Sequence, residues 1–418
     1  AKVESEVMRL IISLAALFLS IILLQLASGG VGPLDALTGI EKGFSKGQIG
    51  VLGSSHFFGF FIGCWWAPRV MGTVGHSRAF AVFSSMGAIG MLGHTLLVDP
   101  VAWAIMRIAS GICVAGCYTV IEAWLQAKAT NENRGRTMGV YRFVDISASL
   151  GAQIMIGALA NVEIYIAYNL LTLFFCASLL PLALTKASPP VTKSAPRLRP
   201  LLALNRSPLA VSAVVVTGIT SAAYRMVGPI YGSELGMNAS QIGLFLAGYV
   251  AGGAISQYPS GWLADKFDRR WVIIGFSVAS LAACTISLFA LSLDQVIVAS
   301  CLFGFITVPI YSIATAHAHD FAAPDERVEL SAALLFYFAI GAIISPVAAS
   351  LLIETFGTES FFIFIAIAHL ILATVGGFRM LKGSIADAKT PYIYSPRTSF
   401  LIGRLTKKLR DPETSKKP

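Results

Sequence analysis

Five ionisable side chains fall inside long apolar stretches: Arg107, Glu122, Arg142, Asp145 and Arg225. A charge near mid-bilayer costs at least about 2.5–3.5 kcal/mol on insertion scales, so such groups face a partner or a water-filled cavity. Glu122 and Arg142 lie ten residues on either side of a hairpin turn centred near Glu132, which puts them at similar depth as a candidate ion pair. Asp145 shares a helical face with Arg142, so a local pair or a network with Glu122 is equally open. The trio reads as an inner gate, a role that buried pairs can serve without touching solute.

Arg107 and Arg225 lie nearer the opposite third of their helices. A cation there is expected to line a central cavity, where it either binds an electronegative part of a solute or tunes a proton-carrying carboxylate. Snorkelling to the interface is the plainer alternative. Gln25, His56, Tyr118, Gln153, Tyr224, Tyr249, Gln257, Tyr311 and Tyr337 are candidate hydrogen-bonding groups of that cavity, because polar tips are otherwise unsatisfied in lipid. Packing or the interfacial belt explains any one aromatic equally well.

The elements that must position these groups are membrane helices. The chain has 418 residues, 56% hydrophobic and 13% charged, with a mean hydropathy of +0.73. Soluble domains carry roughly a quarter charged residues. Apolar stretches of about twenty residues recur, each long enough to cross about 30 Å of hydrocarbon as a helix. Twelve spans are expected: 8–28, 48–67, 79–98, 101–127, 138–160, 164–185, 207–232, 241–263, 271–291, 295–318, 329–353 and 360–380. The alternating pattern of a β-barrel is absent. The first span is too long for a signal-peptide core and reads as retained.

The basic residues give the orientation. Lys42 and Lys46 alone fall in loops on one side; apart from the intramembrane Arg107, Arg142 and Arg225, nearly all the others, among them Arg69, Arg78, Arg269, Arg270 and the basic tail, fall on the other. The first side instead carries Asp35, Glu41, Asp99, Glu163, Glu234, Asp294, Glu354 and Glu359. By the positive-inside rule the basic side is cytoplasmic and holds both termini. The same rule explains the net charge of +9 without nucleic acid. A proline-rich segment, 186–206, is expected to link two halves, 1–185 and 207–380, without packing, and 381–418 to form a tail. At an offset of 193, Gln48-Ile-Gly50 aligns with Gln241-Ile-Gly243, Gly59 with Gly252, Gly111 with Gly304, Tyr118 with Tyr311 and Arg134 with Arg327, an internal repeat.

Between the eighth and ninth spans lies Gly261-Trp-Leu-Ala-Asp265-Lys-Phe-Asp-Arg269-Arg270, a carboxylate and cations able to clasp facing helix ends. The corresponding first-half loop, Pro68 to Arg78, lacks the acid. With Arg107-Ile-Ala-Ser-Gly111, Glu122-Ala-Trp124, Arg134-Gly-Arg136 and Pro324-Asp-Glu-Arg327, these motifs resemble the YcaD-like branch of the major facilitator superfamily. The resemblance implies an all-α membrane protein of twelve transmembrane helices in two six-helix bundles, with Asp265, Arg269 and Arg270 joining the inner gate. It also implies a secondary transporter that moves a small organic solute across a bacterial inner membrane by alternating access. Proton symport is open, and flavin or riboflavin uptake is one candidate. A drug or metabolite efflux pump and a non-transporting membrane sensor are the alternatives.

Helix five lacks the antiporter signature of that superfamily. No GxxxxGK[ST] phosphate loop and no nucleophile-base constellation occur, so an enzyme is not expected. Neither is a cofactor or a metal. The six cysteines read as small core residues, and His317 and His319 as loop histidines. Beyond the bilayer, small-molecule substrate and protons, no partner is expected, and one chain is the expected working unit. Phe400 to Arg410 reads as a basic amphipathic segment on the inner leaflet or as a disordered tail.

Overall fold

The computed structural model describes residues 2–130, 132–184, 195–290, 292–382 and 389–410, and among them every regular element is helical. The first half comprises α1 (Lys2–Glu41), α2 (Lys46–Val74), α3 (His76–Leu96), α4 (Pro100–Lys128), α5 (Arg134–Leu159) and α6 (Ile164–Ala183). A short α7 (Pro200–Arg206) leads into the second half. There α8 (Pro208–Ala222) passes through a π turn, Ala223–Val227, into α9 (Gly228–Glu234), and α10 (Ala239–Ile255) and α11 (Gln257–Lys266) follow. Then come α12 (Arg269–Leu288), α13 (Leu293–Thr307), α14 (Ile310–His319), α15 (Arg327–Phe356), α16 (Ser360–Lys382) and α17 (Ile402–Arg410).

Eleven of the described helical stretches are long and apolar enough to cross a membrane. The remaining expected span, α5, is long enough at 26 residues. Arg142, Asp145, Ser147, Ser149 and Gln153 keep it less apolar than the rest. The spans agree with the sequence pattern, with one consequential exception. Because α1 continues through Gly29, Gly30 and Pro33 to Glu41, Asp35 is not a loop acid but a buried side chain, 2% exposed.

Helix starts follow local chemistry. Ser45 and Asn238 each cap a helix and form a reciprocal box with Gln48 and Gln241, the residues aligned by the 193-residue repeat. The repeat also sets the helix crossings. A methyl group placed on Gly59 would fall 2.1 Å from the Ile108 carbonyl oxygen, and one on Gly111 2.1 Å from that of His56. In the second half Gly252 meets the Cys301 carbonyl and Gly304 that of Tyr249, at 1.9 and 2.0 Å. Only glycine lets the backbones approach so closely.

The halves pack on each other through α2 against α15 and α5 against α10. The acidic side is sealed directly: Gly47 N donates to Glu354 Oε2 at 2.8 Å, and Lys46 Nζ pairs with Glu234 at 2.9 Å. Of the expected linker, 186–194 lies outside the described residues. The described part does pack, since Arg199 pairs with Glu329 at 3.0 Å and Arg206 with Glu326 at 2.7 Å. Free cysteines Cys64, Cys113, Cys117 and Cys284 are buried, whereas Cys176 is exposed. His317 and His319 are buried on α14 rather than in a loop.

Candidate functional site

A cavity of about 180 Å³ lies between the halves. Of the residues expected there, Gln25, His56, Tyr118, Tyr249, Gln153 and Arg225 line it. Arg225 is carried by the π turn of the seventh span, an irregularity that re-aims side chains and is common at functional sites. Arg142 and Asp145, expected at a gate, line the cavity as well. Tyr118 OH donates to Asp145 Oδ1 at 2.5 Å and lies 3.1 Å from Gln25 Oε1, while Arg142 Nη1 reaches Asp145 Oδ2 at 3.0 Å. The local pair has won over the pairing of Glu122 with Arg142. Glu122 instead accepts hydrogen bonds from Tyr141 at 2.9 Å and from the hydroxyls of Thr398 and Ser399.

Arg107 is not on the cavity wall. It lies behind Gly32 and Met226, with Nη2 3.8 Å from Met226 Sδ, and it is 1% exposed. Its Nε stands 3.3 Å from Asp35 Oδ2. Tyr168 OH donates to Asp35 Oδ1 at 2.6 Å, and His94 Nε2 is 3.6 Å from Oδ2. His94 Nδ1 lies 2.6 Å from the Gly90 carbonyl oxygen. That oxygen can only accept, so Nδ1 carries a hydrogen and Nε2 faces the carboxylate as a bare lone pair unless a second proton joins it. The Asp35 carboxylate is therefore surrounded by Arg107, His94 and Tyr168.

Tyr224, Tyr311 and Tyr337 do not line the cavity. Tyr224 stacks on Phe245, Tyr249 and Phe303 with centroids 4.4–5.1 Å apart, and its hydroxyl donates to Ser300 at 2.6 Å. Tyr337 OH reaches the Pro200 carbonyl at 3.4 Å. Tyr311 lies beneath Arg397, 5.5 Å from its ring centroid to Cζ.

On the basic side, Arg269 bridges Asp265 at 2.9 Å and Asp320 at 2.6 Å, so the clasp extends to an acid outside the motif. Burial raises the pKa of Asp320 even against the adjacent Arg269. Arg270 forks onto Asp268, not Asp265, at 2.7 Å. Burial would raise the Asp268 pKa, but the Arg270 hydrogen bonds and charge outweigh it and leave the carboxyl lowered. Asp35, His94, Tyr168, Tyr394 and Arg397 escaped the sequence analysis. A histidine inside the third apolar span was the available signal for His94. For the others, only the extension of α1 and the path of the C-terminal segment reveal them.

A profile of the Major Facilitator Superfamily matches residues 209–391. An uncharacterized MFS-type transporter, YcaD, of Escherichia coli O6:K15:H31 is 27% identical over 351 residues, covering 83% of this chain and 90% of that protein. The YcaD of Salmonella heidelberg is 26% identical over 355 residues, covering 84% and 91%. Among solved structures, the nucleoside transporter NupG superposes with a TM-score of 0.73 at 12% identity, over 89% of this chain and 99% of NupG. A bacterial homologue of the human lysosomal transporter Spinster, inward-facing and occupied, gives 0.71 at 16% identity, over 89% and 97%. At these identities the superpositions speak for the fold alone.

Proposed function

We propose that the chain, which resembles major facilitator transporters in its profile match and its relatives, is a secondary transporter of one small organic solute, which binds in the cavity between two rocking six-helix bundles. The carrying observation is Arg225: a guanidinium on the cavity wall for which no ion pair is described. A cation without a direct ion pair in a site of low dielectric favours an electronegative group on the solute. Tyr118 and Tyr249 line the cavity while Tyr224, Tyr311 and Tyr337 stand off it, and nothing in the lining selects a flavin.

The two arginines then have different roles. Arg225 binds solute. Arg107 tunes Asp35, and the Asp35–His94 contact takes up the coupled proton, giving proton-driven symport. The bundles are taken as 1–185 and 207–380. The basic side is taken as cytoplasmic in a bacterial inner membrane, from the charge distribution and from relatives in Escherichia and Salmonella.

The test has two stages. A thermal-shift screen of purified protein against a metabolite library finds the solute, since a ligand at a hundredfold excess over Kd adds about 2.7 kcal/mol of apparent stability. Arg225→Lys and Arg107→Lys are then compared in proteoliposomes with and without a proton gradient. Arg225→Lys should weaken binding at every pH, because lysine keeps the charge but not the planar fork. Arg107→Lys should bind normally but fail to accumulate solute against a gradient. The reverse pattern would overturn the assignment.

A further inference from the structure

The cavity has a wall that neither half supplies. Residues 389–407 run into the gap between the halves on the basic side, and Tyr394, Arg397 and Thr398 line the cavity. The segment is bonded to both halves. In the first half, Thr398 and Ser399 hydrogen-bond Glu122, the Arg142 guanidinium lies 4.1 Å from the Tyr394 ring centroid, and Phe400 packs near Phe61. In the second, Thr390 N donates to Asp320 at 2.8 Å, Tyr392 N to Asp265 at 3.0 Å, and Ser395 N to Ser312 Oγ at 3.0 Å. Phe400, Leu401, Ile402 and Leu405 are buried against the protein, so this apolar face is not offered to a lipid leaflet. The acidic side is closed by the helices themselves, whereas the basic side is closed by this segment.

Arg397 brings a third guanidinium to the cavity, beside Arg142 and Arg225. It lies over Tyr311 and Phe338 at 5.5 and 5.2 Å; no ion pair is described for it or for Arg225, although Asp145 acts on Arg225 through space. The lining carboxylate, Asp145, is already taken by Arg142 and Tyr118. Three guanidinium groups, Arg142, Arg225 and Arg397, share one cavity with a single lining carboxylate, so Arg225 and Arg397 repel, and an anion held by both relieves the repulsion and gains charge-assisted hydrogen bonds. Resting on the cavity being the solute site, we propose that residues 389–407 are a detachable plug on the basic side, whose Arg397 joins Arg225 in binding the carboxylate, sulfonate or phosphate group of an anionic solute. The plug must withdraw before that side opens, and its withdrawal removes half of the anion site, so release of the solute and opening of the mouth are one event.

The test needs no identified solute. In a variant with its six cysteines replaced and Ser149→Cys added on the cavity wall, the rates of modification by sulfonatoethyl and trimethylammonioethyl methanethiosulfonate are compared in detergent. The anionic reagent should react faster. Arg397→Gln should lower the anion-to-cation rate ratio about tenfold, as loss of one nearby unit charge implies, while Arg397→Lys keeps it. Separately, the pair Ser312→Cys and Ser395→Cys should cross-link under copper phenanthroline in native membranes. A ratio indifferent to Arg397→Gln, or the absence of the cross-link in folded protein, overturns the proposal. Labelling requires no turnover: a chain that labels as expected but moves no solute loses the transport reading alone, and one that transports with an unchanged ratio loses the plug alone.

Discussion

The two halves share a backbone plan and differ in what they put on it. Gly59 and Gly111 meet the carbonyls of Ile108 and His56, and 193 residues later Gly252 and Gly304 meet those of Cys301 and Tyr249. The same offset carries Arg107 to Ser300. Arg107 sits in a cluster of Asp35, His94 and Tyr168, whereas Ser300 receives a hydrogen bond from Tyr224 and donates to the Phe245 carbonyl at 2.5 Å, beneath an aromatic stack. Glycine contacts fix how the helices cross, and leave the side chains between them free to build a charged site in one half and an aromatic one in the other.

Charge makes the first half the more fragile. Asp35→Ala leaves Arg107 buried without its carboxylate, and breaking a buried pair from one side costs about 3–5 kcal/mol. Ser300→Ala at the matching position should cost about 1 kcal/mol, the net worth of an ordinary hydrogen bond. Thermal unfolding of the two purified variants measures the contrast; equal losses would erase it.

The shared backbone plan makes the opposite prediction. Gly111→Ala and Gly304→Ala should destabilise alike, by about 1–3 kcal/mol, since each forces a methyl into a facing carbonyl. Gly139→Ala, which opens onto free space, should be near neutral or slightly stabilising. A large difference between the first two would mean that the repeat is not a repeat of packing.

A third variant separates binding from folding. Arg225→Gln removes no described partner, so the melting temperature without solute should change by no more than a surface substitution changes it, about 0.5 kcal/mol. Affinity for the solute found by screening should fall at least about tenfold, the value of one charge-assisted hydrogen bond. A melting temperature that collapses would show instead that Arg225 holds the fold.

The smallest effect lies outside the membrane. The Arg206 hydrogen bond lowers the pKa of Glu326 below the ordinary glutamate value. The carboxylate's contribution to stability is thus present above that ordinary value and lost as pH falls through the depressed one. Both groups are largely solvated, so Glu326→Gln should cost at most about 1 kcal/mol, and less in high salt. Melting curves from pH 7 down to pH 3, at two salt concentrations, would expose a larger structural role for this tie.

Much of the architecture was legible because its causes are local. Hydropathy over twenty residues marks a span whatever its neighbours are, and the capping boxes at Ser45 and Asn238 need only four consecutive residues. The intramembrane charges were equally visible, since each stands alone in an apolar run. Their partners were not. Arg142 chose the near acid, Asp145, over Glu122; Arg107 found an acid that looked like part of a loop; and the apolar residues Phe400, Leu401, Ile402 and Leu405, which suited a lipid surface, are buried against the protein.

The order and number of the spans, the basic and acidic sides, the repeat and the presence of charged residues in the membrane followed from the sequence by itself, because each depends on residue type and short spacing. Which of two similar arginines is paired and which faces the cavity was decided only by the tertiary structure. Asp35 meets Arg107, and Thr398 and Ser399 meet Glu122 from more than 270 residues away. Such contacts depend on how each helix is rotated about its axis and where the chain returns, and in a membrane that rotation is set by packing against neighbouring helices rather than by any local signal.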